Sequence, residues 1–258
     1  MALYCKCCMK RFLAIPFLLF VAIVAGFTVS DSKNNQISPA QNVSLVTGDK
    51  VKLAGDYYPG TSRNGVVLLH MMSETRRSWV DFSRALQARG FSVLAIDLRG
   101  HGESEGGPSG YRSFSDLEHQ KSINDVAAAV DFLKDRGIVA GNITLVGASI
   151  GANLVLQYVA EHHEIFSAVM LSPGLDYRGV KSLPAVSVLI GGQRIFIAAS
   201  DDDDLGNVSA TTVARAIMGQ LPRGVEGKLL TFAEAGHGTR LFSATEPNLT
   251  VELLDWIH

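Results

Sequence analysis

The chain has 258 residues, 47% of them hydrophobic and 19% charged, a balance that supports a folded domain of ordinary size and excludes a mainly disordered protein. With 23 Lys and Arg against 25 Asp and Glu the formal net charge is −2, so there is no basic surplus to neutralise phosphates and nucleic-acid binding is not expected.

The apolar content is unevenly spread. Lys6, Lys10 and Arg11 precede an uncharged stretch, FLAIPFLLFVAIVAGFTVS, from Phe12 to Ser30. A basic start before about 18 apolar-leaning residues reads as a signal peptide or an N-terminal membrane anchor over residues 1–30. The protein is therefore expected to be exported to a periplasmic or extracellular location, or anchored to a membrane through this segment alone. Cys5, Cys7 and Cys8 all lie ahead of the stretch, so the exported part carries no disulfide framework. Residues 31–42 (DSKNNQISPAQN) are polar and turn-rich and read as a linker. N-x-S/T sequons begin at Asn42, Asn142, Asn207 and Asn248, and matter only in a host that glycosylates.

From Val43 strands and helices alternate. VSLV and VKLAGDYY flank a Gly-Asp turn and predict a hairpin. GVVLLH (65–70), FSVLAID (91–97), NITLVG (142–147), SAVMLS (167–172), RIFIAAS (194–200) and GKLLTFA (227–233) are short, continuous apolar runs, the pattern of strands buried on both faces. Between them, residues 79–89, 122–137, the stretch IGANLVLQYVAEHH, 208–220 and 248–258 space apolar residues at helical intervals. The expected fold is α/β: a mostly parallel, doubly wound sheet with helices on both faces.

Gly147-Ala148-Ser149-Ile150-Gly151 is a G-x-S-x-G sequence placed between a strand and a helix. A nucleophile on so tight a turn is crowded, and glycine two positions to either side relieves that crowding. The helix N-terminus then offers N–H groups and a favourable dipole to developing negative charge. A serine hydroxyl needs a base, itself oriented by an acid. His237, in Ala235-Gly236-His237-Gly238-Thr239 beyond the last strand, is the expected base. The acid is expected in the turn after RIFIAAS, where Asp201, Asp202, Asp203 and Asp204 are consecutive and the residues alone do not choose among them. No His, Asp or Glu cluster has metal-ligand spacing and no glycine-rich nucleotide fingerprint follows the first strand, so no metal or cofactor is expected.

With the elbow at Ser149 and the order Ser…Asp…His in place, the chain resembles the α/β-hydrolase superfamily over residues 43–258, in particular its compact serine aminopeptidase-like and dienelactone-hydrolase-like members. Asp97-Leu98-Arg99-Gly100-His101-Gly102-Glu103-Ser104 looks like the D-x-R-G-H-G-x-S turn of that superfamily, and Leu171-Ser172-Pro173-Gly174-Leu175-Asp176-Tyr177 resembles a segment of its compact members. The resemblance implies that the acid lies three residues past the small residue ending its strand. Taking Ser200 as that residue selects Asp203, with Asp202 next. It implies an oxyanion hole built from the backbone N–H of Ile150 and, within Leu69-His70-Met71-Met72, that of Met71, although Met71 stands where the family usually carries Gly. His70 is expected to support that loop, Arg99 and His101 to hold their turn, and His162 and His163 to end a helix. Dienelactone hydrolases use a Cys nucleophile, so Ser149 argues against that activity. The connection between the strands at 167–172 and 194–200 is short, which implies a minimal cap and small or exposed acyl groups. The implied activity is that of a serine hydrolase cleaving carboxylic esters of small molecules through Ser149, His237 and Asp203 and an acyl-enzyme. Two readings stand beside it: an aminopeptidase-like peptidase that recruits spare carboxylates of the acidic run for a substrate amine, and a catalytically inactive binding protein of the same fold.

Overall fold

The computed structural model describes residues 38–204, 206 and 208–257. The basic and apolar N-terminal segment, Cys5, Cys7, Cys8, most of the stretch read as a linker and the sequon residue Asn207 lie outside the described residues. Among the described residues no helix is long and apolar enough to cross a membrane.

The expected hairpin is formed by β1 (Gln41–Val46) and β2 (Lys52–Tyr58), β1 beginning inside the stretch read as a linker. Every residue of β3 (Gly65–Leu69), β4 (Ser92–Ile96), β5 (Ile143–Ala148) and β6 (Ser167–Leu171) is buried, which is why these strands are unbroken apolar runs. A small hairpin of β7 (Asp176–Tyr177) and β8 (Val180–Lys181) follows, then β9 (Arg194–Ser200) and β10 (Glu226–Phe232). The main sheet has the order β1-β2-β4-β3-β5-β6-β9-β10. It is parallel from β4 to β10, while β1/β2 and β2/β4 pair antiparallel.

The helices are α1 (Val80–Ala88), α2 (Asp116–Gln120), α3 (Ile123–Lys134), α4 (Ile150–Glu161), α5 (Leu183–Val186), α6 (Ala210–Met218) and α7 (Leu249–Trp256). Phe82 and Leu86 of α1 join Leu249, Leu253 and Trp256 of α7 in one apolar layer, whereas α3, α4 and α6 build the layer on the opposite face. Ten of the 12 residues of α4 are buried, all but Gln157 and Glu161, so this helix sits inside its layer. Each fully buried Leu, Val or Ile there contributes about 1.5–3 kcal/mol, which fixes α4, and with it the turn that opens it, against β5 and β6. The elements α2, α5 and β7/β8 were not expected from periodicity, being too short to show one.

A buried polar layer lies beyond the ends of β3 and β4. Asp97 accepts from the backbone N–H of Arg76 (2.7 Å) and of Glu103 (2.8 Å) and pairs with the Arg76 guanidinium. That guanidinium, only 2% exposed, also reaches Glu103 (2.9 Å) and lies 3.0 Å from Asp56. Arg99 is held between Asp125 and Asp49, its Nε donating to Asp125 (2.9 Å) and its Nη1 to Asp49 (2.7 Å). Both arginines thus hold the turn from Asp97 to Ser104. His70 is fully buried: its Nε2 accepts from Leu98 N–H (3.0 Å), which leaves Nδ1–H to donate to the Met71 carbonyl (2.8 Å). Burial, reinforced by the neighbouring His101, pushes the His70 imidazole down to about 4, so it is neutral in use.

Two outcomes follow from this layer. Arg76→Ala leaves buried carboxylates uncompensated, and the loss should be about 3–5 kcal/mol in a denaturant titration; a loss below about 1 kcal/mol, the size of an exposed pair, would refute the assignment of Arg76 as the counter-charge of this layer. For His70 the folded value lies below the unfolded one, so the unfolded chain binds the extra proton between pH 6.5 and about 4. The neutral imidazole is therefore compatible with full stability above pH 6.5, and about 3 kcal/mol is lost as pH falls from there through about 4. NMR titration of the His70 ring checks this directly; a midpoint near 6.5 contradicts it.

Candidate active site

β5 runs into α4 through a single sharp residue. Ser149 has φ 54° and ψ −119°, a positive-φ conformation that costs a residue with a side chain about 1–3 kcal/mol. The surroundings determine it: Ser149 N–H donates to the Leu171 carbonyl of β6 (2.8 Å), and the Ser149 carbonyl accepts from Ala152 N–H (2.9 Å) and Asn153 N–H (3.2 Å). The flanking glycines are required by close approach. A Cβ at Gly147 would stand 2.1 Å from the Gly151 carbonyl oxygen, and one at Gly151 would stand 2.7 Å from that of Leu69. Ile150 is the first residue of α4, so its N–H has no acceptor within the helix and is available at the turn.

The acidic run after β9 divides its tasks. His237 Nδ1 lies 2.9 Å and 2.8 Å from the two carboxylate oxygens of the buried Asp203. With Nδ1–H donated to Asp203, the lone pair of the neutral imidazole is left on Nε2. Asp202 points elsewhere: it accepts from the Ser200 hydroxyl and from the N–H groups of Ala235 and Gly236 (both 3.1 Å). These donors, the Ser200 hydroxyl first, hold the Asp202 carboxyl below the usual carboxylate range. Asp202 therefore ties down the two residues that precede His237. Asp204 accepts from Gly206 N–H (2.8 Å), and Asp201 is exposed, with its N–H donating to the Phe232 carbonyl.

The loops of Ser149 and His237 touch. A Cβ placed on Gly238 would lie 3.5 Å from the Ala148 Cβ and 2.7 Å from the Met71 sulfur. Gly238 N–H donates to the Ser172 hydroxyl (2.9 Å) at the end of β6. Met71, buried, thus lays its side chain on the loop of His237. Its own loop is fixed from behind by His70 on the Met71 carbonyl and by His101, whose Nε2 lies 2.7 Å from the Met72 carbonyl. His101 is stacked on Tyr111 with centroids 4.0 Å apart, and its Nδ1 faces the Arg99 carbonyl at 2.9 Å. His162 sits at the end of α4, stacked on Tyr158.

Three residues of this neighbourhood carry no role in the sequence reading. Ser172, with φ 50°, joins β6 to the His237 loop. Asn153, one turn after Ser149 and fully buried, bonds the segment after β6. Tyr177, on β7, stands edge-on to His237 with centroids 6.4 Å apart. The segment Leu171–Tyr177 was visible as a family likeness, and a polar Asn among nine buried neighbours of α4 was the other available signal.

A family model described as serine aminopeptidase, S33, matches residues 60–199. Among curated proteins, a thiohydrolase of Aspergillus aculeatus is 31% identical over 121 residues, 46% of this chain and 36% of that protein. A polyketide transferase of a Penicillium species is 24% identical over 144 residues, 55% of this chain and 47% of its own. A multifunctional-autoprocessing repeats-in-toxin of Vibrio vulnificus is 28% identical over 146 residues, which is 51% of this chain but 3% of the toxin. The chain thus matches less than half the length of each of these relatives. Among solved structures, an esterase of Pyrococcus furiosus has a TM-score of 0.69 at 20% identity, covering 87% of this chain and 91% of its own. An esterase of Exiguobacterium antarcticum has a TM-score of 0.65 at 15% identity, covering 84% of this chain and 99% of its own. At these identities the two structures speak to the fold, and they share it. The family model spans the strands from β3 to β9 and the turn at Ser149, more than half of the sequence, and the chain belongs to the serine aminopeptidase S33 family of α/β-hydrolases.

Proposed function

We propose that the protein is a serine hydrolase that cleaves carboxylic esters of small molecules. The observation that carries this reading is the strained Ser149 on a turn whose neighbour, Ala148, abuts the loop presenting a His237 already paired with Asp203. In this reading Ser149 Oγ attacks the ester carbonyl while His237 Nε2 takes its proton. Asp203 keeps the imidazole in the required tautomer and stabilises its charged form. The oxyanion of the tetrahedral intermediate is met by the N–H of Ile150 and that of Met71. Collapse expels the alcohol, which takes the proton back from His237, and leaves an acyl-enzyme. Water, deprotonated by the same His237, then releases the acid.

The peptidase reading needs free carboxylates for a substrate amine. Asp202, Asp203 and Asp204 are each engaged with a protein donor, which leaves the exposed Asp201 as the carboxylate of the run on which that reading would rest. The basic and apolar N-terminal sequence supports export or membrane anchoring as the setting of this activity. N-terminal sequencing of the mature protein checks that setting, and a protein retaining Met1 in the soluble cell fraction rejects it.

A fluorophosphonate probe should label the wild type at Ser149, and Ser149→Ala should lose both labelling and p-nitrophenyl ester hydrolysis, the latter by at least about 10⁴-fold. Wild-type protein that is folded yet neither labels nor hydrolyses esters overturns the reading. Asp203→Asn should lower kcat by about 10³–10⁴-fold. Asp202→Asn, which keeps an acceptor oxygen for the loop, should cost far less; the opposite ranking would move the acid to Asp202.

A further inference from the structure

The end of β6 is bonded to both halves of the site. The carbonyl of Leu171 accepts from Ser149 N–H (2.8 Å), and the hydroxyl of the next residue, Ser172, accepts from Gly238 N–H (2.9 Å). Gly238 directly follows His237, so two consecutive residues hold the backbone at the nucleophile and the backbone at the base. The loop of His237 is fastened again on its other side, by Ser200 to Ala235 N–H (2.9 Å) and by Asp202 to the N–H groups of Ala235 and Gly236. Those anchors leave the end of β9 together with Asp203 and register His237 against its acid. The anchor at Ser172 leaves β6, the strand that also bonds Ser149, and registers His237 against the nucleophile.

The backbone of Ser172 is disfavoured for a serine. The residue is fully buried and has φ 50°, a left-handed conformation that a side chain opposes. Pro173, next in the chain, favours an extended neighbour and opposes it further. Glycine enters positive φ freely, and the backbone bonds of position 172 would survive it. Ser172 N–H donates to the Ala198 carbonyl (2.8 Å), and its carbonyl accepts from the Tyr177 hydroxyl (3.3 Å), neither of which needs a side chain at 172. Conformation alone would therefore choose glycine. What the serine adds is the hydroxyl, and the hydroxyl holds the loop of His237.

Resting on the serine-hydrolase reading above, we propose that Ser172 is a positioning residue whose hydroxyl sets the place of His237 relative to Ser149, while Ser200 and Asp202 set it relative to Asp203. Ser172 touches no reacting atom. It holds one side of a loop whose other side is already fixed, so its loss lets His237 swing about the anchored Ala235 and Gly236 without leaving Asp203.

Four quantities test this on the full chain as wild type, Ser172→Gly and Ser172→Ala: kcat and KM on p-nitrophenyl acetate, the rate of fluorophosphonate labelling, Tm, and the low-field NMR signal of the His237 Nδ1 proton. A catalytic group displaced by about 1 Å slows the reaction by about 100-fold. Both variants should accordingly lose about 10–100-fold in kcat and in labelling rate, with KM held within about threefold. Ser172→Gly should keep its Tm within about 4 °C of the wild type, and its low-field signal should persist because the pairing with Asp203 is anchored elsewhere. Should Ser172→Gly not fold, Ser172→Ala, which keeps most of the volume but no acceptor, is read for the same outcomes. A folded variant with wild-type kcat and labelling rate overturns the assignment. So does a loss of activity accompanied by loss of the low-field signal, which moves the effect to the pairing with Asp203 or to the whole fold. A folded wild type that neither labels nor hydrolyses esters removes the serine-hydrolase reading itself, and this assignment with it, whereas an active wild type with unaffected variants removes the role of Ser172 alone.

Discussion

The molecule is organised around one strained residue. Ser149 adopts a positive φ that its side chain disfavours, and the cost of about 1–3 kcal/mol falls on the surrounding packing. That packing is dense: β5 is buried along its whole length, α4 on nearly all sides, and the backbones of β3, β5 and α4 approach too closely for any residue but glycine at 147 and 151. The strain cannot relax locally. A less acute turn would move α4 away from β5 and pull Asn153, Leu154 and Val155 out of their contacts. The same geometry that holds the strain places the serine at the end of β5, at the N-terminus of α4 where the first N–H groups have no acceptor within the helix. A loop could not hold it there with equal precision, because no buried surface would oppose its relaxation.

Once that turn is fixed, the other parts of the site are set by hydrogen bonds from the ends of neighbouring strands. Ser172, at the end of β6, holds Gly238 through its hydroxyl and Tyr177 through its carbonyl. Ser200, at the end of β9, binds Asp202 and Ala235 N–H. Asp202 in turn bonds Ala235 and Gly236, while Asp203 turns the other way and meets His237. Consecutive aspartates can do both because adjacent side chains leave the chain in different directions. One carboxylate orders the backbone of the loop, and the next orients the ring that the loop carries. An isolated aspartate would have to choose between these tasks.

This division explains what could be read in advance and what could not. The parallel strands were legible because burial on both faces leaves unbroken apolar runs, and α4 because its polar residues Asn153, Gln157 and Glu161 recur on one face at helical spacing. The β7/β8 hairpin was not, since two-residue strands have no period and owe their place to Asn153, far along the chain. Helix α2 carried a signal of its own, the Ser115–Glu118 capping box, but no apolar run followed to mark a helix. At the site, Ser149 and His237 stood out through glycine spacing and position after strands. Choosing within Asp201–Asp204 required a likeness to related proteins, because the four differ only in which backbone N–H groups or ring they face. Tyr177 was quoted as part of a motif yet given no task, since its place beside His237 depends on the fold of the hairpin.

The methionine at position 71 shows how such a site absorbs a departure from its family pattern. The family resemblance puts glycine there, and a side chain at this proposed oxyanion loop would be expected to crowd the nucleophile. The structure directs the Met71 side chain onto Gly238, where a Cβ would stand 2.7 Å from the sulfur, so the space comes from the loop of His237. In the proposed mechanism the donor is the backbone N–H, which is indifferent to the side chain it accompanies. Its position is secured instead by His70 and His101, which hold the carbonyls of Met71 and Met72 from the buried side. Side-chain volume at 71 and its absence at 238 are thus one feature. A bulky residue at 238 would be excluded by Met71 even though Gly238 makes no side-chain contact of its own, and the flexible thioether, rather than a branched side chain, is what lets the two loops close over Ala148.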